Sequence, residues 1–258
     1  MIAYKRMSIR DFDARTYHRV SNVHQAWADV LLDRLQLHGD ETVLDAGCGS
    51  GRVTLKLLDR LPRGHVIAVD GAPSMVAEAR ELLGDRATVR AVDLAELELD
   101  APVDAVFSNA VFHWIPDHDA LFARLHAALR PGGRLVAQCG GHGNIARFRA
   151  TADAVGRRAP YAEHLAGFRG VWNYQSAEAT AERLAAAGFT DVETWLQPWE
   201  TAPDEPEAFV RTICLNPQLE HLPEALHDAF VADVLAEAGD PLVLDYVRLN
   251  IAARRPVA

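Results

Sequence analysis

Apolar and polar positions follow two rhythms along the first half of the chain. Compact apolar runs cover residues 42–45, 65–70, 89–94, 103–109 and 134–139, and between them apolar side chains recur every third or fourth position. Val53, Leu57, Leu58 and Leu61 form one such stripe. Met75, Val76, Ala79, Leu82 and Leu83 form a second, and Leu121, Phe122, Leu125 and Leu129 a third. Strand-length apolar runs separated by amphipathic helices predict buried parallel strands with helices packed on them, an α/β fold. Pro73 suits a first helical turn, Gly84 closes that helix, and Arg130-Pro131-Gly132-Gly133 stops the next. Ahead of the first strand, Trp27, Val30, Leu31, Leu32 and Leu35 predict a helix over about 22–37.

Beyond residue 140 the rhythm breaks. Gly140-Gly141-His142-Gly143-Asn144 is expected to be a flexible exit from the core, leading to a helix near 145–156 and a loop to 175. That stretch holds Phe148, Tyr161, His164, Phe168, Trp172 and Tyr174, which would either line a substrate pocket or form a small satellite core. Ser176 can cap a helix over 177–187 that Gly188 ends, and a strand follows over 189–197. Pro206, Phe209, Val210, Ile213 and Cys214 fit one short helix, and Leu226, Phe230, Val231, Val234 and Leu235 fit another. A last strand is expected over 242–253, with Val243, Val247, Leu249 and Ile251 on one face.

The first strand runs into Asp45-Ala46-Gly47-Cys48-Gly49-Ser50-Gly51-Arg52. Glycines at alternate positions remove Cβ atoms and allow positive φ, so a ligand can lie against the backbone at the strand's carboxyl end. A dinucleotide fingerprint would place its third glycine at 52 or 54, where Arg52 and Thr54 stand. A P-loop would need Gly-Lys, and neither Lys5 nor Lys56 follows a glycine. The acid ahead of the glycines disfavours a pyrophosphate and suits a ligand with an ammonium group. Asp70 ends the second strand, where a carboxylate can take both hydroxyls of a ribose, helix capping being the alternative. Asp93 ends the third. Three acids at successive strand ends would face one crevice, because parallel strands present their carboxyl ends together.

The segment Val43-Leu44-Asp45-Ala46-Gly47-Cys48-Gly49-Ser50-Gly51 resembles the first motif of the class I S-adenosylmethionine (SAM) methyltransferases. The resemblance implies a doubly wound, seven-stranded Rossmann-like α/β sheet with an inserted helical cap. It implies SAM as cofactor and S-adenosyl-L-homocysteine as its product. The implied cofactor-binding set is Tyr17 at the methionine end, packing on the sheet edge being the alternative; Asp45, Gly47, Cys48, Gly49 and Gly51 in the loop; Asp70 and Gly71 at the ribose; Asp93 and Leu94 around the adenine; and Asn109 and Ala110 by backbone contacts to the methionine end or the adenosine. Met75 is a further candidate to touch the adenosine, with core packing as the alternative. Residues 107–118, Phe-Ser-Asn-Ala-Val-Phe-His-Trp-Ile-Pro-Asp-His, narrow the resemblance to the trans-aconitate methyltransferase-like group. It places His113 and Trp114 near the transferring methyl, with His113 and His18 the candidates for a general base. It divides the chain into lid helices (1–40), a SAM-binding core (41–140), a cap insertion (141–175), a continuation of the core (176–200), a second helical cap (201–240) and a final core strand (241–258). Where the group offers arginines for a tricarboxylate, this chain has His24, Ala26 and Asn216. Arg211 and Arg248 are the candidates to compensate, beside Trp114, Trp172, Tyr174 and Tyr246 as substrate contacts.

Composition adds limits. The chain has 258 residues, 49% of them apolar, enough for one large α/β domain with an insertion. A net charge of −10 speaks against nucleic acid as a partner, which a concentrated basic surface would require. Cys48, Cys139 and Cys214 are odd in number and widely spaced, which favours free thiols over a disulfide frame or a metal site. The opening residues carry no apolar core of signal length, and no 18-residue apolar run occurs, so the expectation is a cytoplasmic protein without a membrane partner, monomeric or homodimeric.

The function expected is methyl transfer from SAM to oxygen or carbon of a small, partly apolar metabolite. An arginine-rich, lysine-poor composition fits a GC-rich bacterial genome and a role in secondary metabolism. Carboxyl methylation of an aconitate-like acid or carrier-bound acyl group is the alternative within the class. A non-catalytic SAM-binding module is the alternative outside it. An NAD-dependent reductase would need the shifted glycine and a Tyr-x-x-x-Lys pair that the two lysines do not supply.

Overall fold

The computed structural model describes residues 22–257. A seven-stranded sheet runs in the order β3-β2-β1-β4-β5-β7-β6, with β1–β5 parallel and β7 antiparallel to both its neighbours. The elements are α1 (Asn22–Arg34), β1 (Thr42–Ala46), α2 (Arg52–Asp59), β2 (His65–Asp70), α3 (Pro73–Leu83), β3 (Thr88–Ala91), β4 (Val103–Asn109), α4 (His118–Ala128) and β5 (Leu129–Gly140). They continue with α5 (Ala146–Gly156), α6 (Ala162–Leu165), α7 (Ala177–Ala186), β6 (Thr190–Thr201), α8 (Pro206–Phe209), α9 (Asn216–Leu219), α10 (His227–Ala238) and β7 (Leu244–Arg254).

The apolar runs are continuous because both faces of the sheet are covered. Val43, Ala105, Phe107 and Val136 pack with Leu31, Leu35, Leu57 and Leu83 on one side. The alternate positions Leu44, Val106, Leu135 and Ala137 pack with Leu121, Phe122, Leu125 and Leu184 on the other. A third cluster gathers Phe148, Val155, Phe209, Phe230 and Val234 from α5, α8 and α10 against Trp27 and Tyr246. Phe148 and Tyr161 belong to this satellite core, whereas Trp172 and Tyr174 do not.

Several expectations are corrected. Helix α1 stops at Arg34, although Leu35 stays buried. Leu82 is exposed, because the buried face of α3 runs through Met75, Val76, Ala79 and Leu83 and leaves it on the flank. Asp45 lies one residue inside β1, and Asp93 lies two residues beyond β3, where it caps the short 3₁₀ turn Leu94–Glu96. Val243 is exposed ahead of β7, and β7 is buried on both faces rather than one, since it fills an interior slot of the sheet. The 140–144 exit is a bonded turn. Gly141 N–H donates to Val247 O (2.9 Å), His142 N–H to Gln175 O (2.8 Å), and Asn144 Oδ1 accepts from Val247 N–H (2.9 Å).

Candidate active site

A cavity of about 920 Å³ opens at the carboxyl ends of β1, β2 and β4, and runs beneath the segment 171–175 to β7. That is near the top of the ~300–1,000 Å³ range of small-molecule pockets. One end is acidic, the other aromatic and cationic.

At the acidic end the loop after β1 is drawn tightly against its neighbours. Gly47 has φ 88°, and a Cβ there would stand 2.2 Å from Val111 Cγ2, so only glycine fits. The N–H groups of Gly47 and Cys48 both donate to Val69 O, at 2.8 and 2.9 Å. Asp70 completes the loop: Oδ2 accepts from Gly49 N–H and Oδ1 from Ala72 N–H, both at 2.8 Å. The Gly71 N–H adds a further backbone bond to this carboxylate, which with about four lone-pair sites in all keeps acceptor capacity for a ribose hydroxyl. A Cβ on Gly49 would meet nothing within 4 Å, so the loop leaves open space there for a ligand. Asp93 spends Oδ1 on Ala95 N–H (2.9 Å) and lines the cavity beside Leu94.

Burial sets the electrostatics of this end. It pushes the Asp45 carboxyl up to about 7; the Thr54 hydroxyl, donating to Oδ2 at 2.7 Å, acts the other way, and the charge of Asp70 adds to the rise. Burial also raises Asp70, against the backbone N–H groups that hold its charged form. Two carboxyls so placed suit a ligand that brings positive charge. Burial pushes the Cys48 thiol well above its ordinary range, so this sulfur is a neutral wall rather than a nucleophile.

At the other end the segment 171–175 is zipped to the turn after β4. Asn173 N–H donates to His113 O (2.8 Å), and its side-chain amide donates to Ile115 O (2.9 Å) and Pro116 O (3.0 Å). With Asn173 tied down, Trp172 and Tyr174 stack on each other at 7° with centroids 6.0 Å apart. Tyr174 lies 5.7 Å from the His113 ring, and Trp172 lies 6.2 Å from Trp114. His113 is buried, and its Nδ1 accepts the backbone N–H of Gly140 at 3.2 Å. An imidazole that accepts at Nδ1 is neutral and carries its proton on Nε2. From β7, Tyr246 and Arg248 occupy alternate positions on the face beneath α1, and Arg248 stacks its guanidinium 4.2 Å from the centre of the Trp27 ring. The Tyr246 hydroxyl is buried against the Cys214 thiol and, among the described residues, meets no nitrogen or oxygen partner.

The cavity brings together Asp45, Gly47, Cys48, Gly49, Asp70, Gly71, Met75, Asp93, Leu94, Asn109 and Ala110, and with them His113, Trp114, Trp172, Tyr174, Tyr246 and Arg248. Two expected residues lie elsewhere. Gly51 (φ 86°) sits against α3, where a Cβ would meet Leu83 Cγ at 3.1 Å, so it serves helix packing. Arg211 is held on the surface by Asp228 (2.7 Å) and Glu207 (3.3 Å). Tyr17 and His18 fall outside the described residues, as do the side chains of His24 and Ala26. The sequence pattern missed Val111, which seals Gly47; Asn144, buried and bonded to β7; and Asn173. Of these only Asn144 left a local sign, a lone amide closing a glycine-rich turn.

These features fit an adenosyl amino acid: a carboxylate with acceptor capacity to spare for a ribose, an acid beside an apolar residue for a purine, and buried carboxyls for a cation. Relatives agree. A methyltransferase-domain family profile matches residues 43–133. The trans-aconitate 2-methyltransferase of Azoarcus sp. (strain BH72) is 34% identical over 86% of this chain and 87% of its own. That of Methylobacterium nodulans is 32% identical over 95% and 98%. Among solved structures, phosphoethanolamine N-methyltransferase 2 of Haemonchus contortus, in complex with phosphomonomethylethanolamine and S-adenosylhomocysteine, shares the fold with a TM-score of 0.61. It is 21% identical, over 94% of this chain and 57% of that one. The chain is a SAM-dependent methyltransferase and belongs to the family of the trans-aconitate 2-methyltransferases.

Proposed function

We propose that the enzyme methylates the carboxylate of a small organic acid whose body is apolar and planar. The observation that carries this proposal is the hydrogen bond from Gly140 N–H to His113 Nδ1. It consumes the lone pair with which His113 would act as a base and leaves the ring as a donor. A hydroxyl or carbon acceptor calls for proton removal, whereas a carboxylate is already ionised at neutral pH and needs none. Arg248 and Tyr246 support an anionic acceptor, the first as a buried guanidinium and the second as a buried hydroxyl whose neighbour is the weakly bonding Cys214 thiol. Trp114, Trp172 and Tyr174 supply the wall for the apolar body.

In this proposal the cofactor's ribose rests on Asp70, its purine between Asp93 and Leu94, and its cationic end near Asp45, with Gly47, Cys48, Gly49, Gly71, Met75, Asn109 and Ala110 shaping the remainder. SAM, when bound, supplies a methyl group already activated by its sulfonium. The chain's part is then to align, desolvate and exclude water, a contribution of about 7–11 kcal/mol in well-positioned systems. The segments 141–175 and 201–240 act as caps over the acceptor. The acceptor is a free small molecule, and the enzyme works in the cytoplasm as a monomer or homodimer.

Trans-aconitate, cinnamate and the alcohols matching both acids, each offered with methyl-labelled SAM, form the test. The expected product is a base-labile methyl ester, with turnover at saturating SAM flat between pH 6 and 8. Arg248→Leu should raise the acceptor KM tenfold or more, and Arg211→Ala should leave it unchanged. Label transferred to the alcohols but not the acids would overturn the proposal.

A further inference from the structure

An arginine that recognises an anion must be held at a fixed angle, and Arg248 is held by amides. Its Nε–H donates to Gln138 Oε1 at 3.2 Å. Gln138 in turn donates from Nε2 to Asn250 Oδ1 at 2.7 Å, and Asn250 Nδ2 reaches Gln197 Oε1 at 3.5 Å. Strand register explains the row: Gln138 lies opposite Asn250 across β5 and β7, and Gln197 lies opposite Arg248 across β6 and β7. Gln138 and Asn250 are 4% and 2% exposed, and two buried amides in the middle of an apolar sheet would be costly without partners.

We infer that Gln138 is a positioning residue for acceptor recognition, with Asn250 setting its orientation. The inference rests on the carboxylate role proposed for Arg248. A glutamine side chain can present either its oxygen or its nitrogen, and the wrong choice would oppose two donors at Arg248. Asn250 decides it: by accepting the Gln138 N–H₂ group it turns Oε1 towards the guanidinium. The Trp27 ring covers the guanidinium face and the amide oxygen takes its edge, so the group is constrained in plane and rotation. Both contacts are with neutral groups. A carboxylate in place of the Gln138 amide would orient Arg248 equally well while competing electrostatically with an incoming acid.

Two readouts on the full chain test this. The first is the Arg248 Nε–H signal in ¹⁵N–¹H spectra, assigned by its loss in Arg248→Lys. The second is the acceptor KM against kcat for whichever acid the panel above identifies. Gln138→Met keeps length and removes the acceptor. It should cost the Arg248 signal at least tenfold in exchange protection and raise KM about tenfold, with kcat and S-adenosylhomocysteine affinity within about twofold. Gln138→Glu should keep the protected signal and still raise KM. If Gln138→Met does not fold, Gln138→Asn, which withdraws the oxygen by one carbon, carries the same expectation. An unchanged Arg248 signal and KM in the folded variant overturns the inference. A lost signal in an enzyme that methylates no acid upholds the positioning and removes the carboxylate role.

Discussion

Asp45 shows how much one buried carboxyl can do. With its folded pKa lifted to about 7 from an ordinary value of 3.8, the cofactor-free protein keeps a proton that the unfolded chain has released. Stability from this group is therefore greatest below pH about 4, declines as pH rises, and levels off above 7. Urea unfolding of the cofactor-free protein at pH 5 and 8 should show a decline larger by about 2–4 kcal/mol in the wild type than in Asp45→Asn. Binding runs the opposite way. A cationic ligand favours the ionised form, so SAM affinity by calorimetry should strengthen several-fold, about five- to tenfold, from pH 6 to 8, and Asp45→Asn should flatten that dependence. Asp45 and Asp70 were legible in the sequence because their roles are local, an acid at a fixed distance from a glycine loop. The sequence pointed to the turn that carries His113, which lines the cavity, but not to the bond at its Nδ1. The group that takes its lone pair, Gly140 N–H, is 27 residues away and belongs to the backbone of another strand.

At the level of the element, the segment 171–175 has no regular secondary structure and yet holds two of the rings that line the cavity. Asn173 is its fastening, through two carbonyls of the turn at 115–116. Asn173→Ala should release it. Hydrogen exchange at 171–175 should accelerate and the acceptor KM rise about tenfold, while S-adenosylhomocysteine affinity stays within twofold. Strands and helices up to residue 139 followed from periodicity, since each buries a face of fixed period. The aromatic segment did not divide itself: nothing in spacing separates Phe148 and Tyr161, which fill the satellite core, from Trp172 and Tyr174, which line the cavity. Arg211 and Arg248 were equally matched on paper. One sits on the open surface beside Asp228 and the other on a strand that proved to be interior, a distinction that only sheet order makes.

For the molecule as a whole, the two ends of the cavity are built from different stretches of chain. The acids and glycines of one end come from residues 45–110, and the aromatic and cationic groups of the other come from 113 onward, Arg248 among them. Strand β7 is not an edge but a keystone, seated between β5 and β6. While a ribosome is still making it, both neighbours carry unsatisfied backbone groups, the kind of raw border that invites other chains to pair. A chain cut after residue 240 should accordingly be recovered mainly as aggregate, as sedimentation of freshly translated material would reveal. Supplying residues 241–258 as a separate peptide during refolding should return part of it to solution. Birth order and spatial order are inverted here: β6 is made before β7, yet the sheet cannot close until β7 has slipped between it and β5.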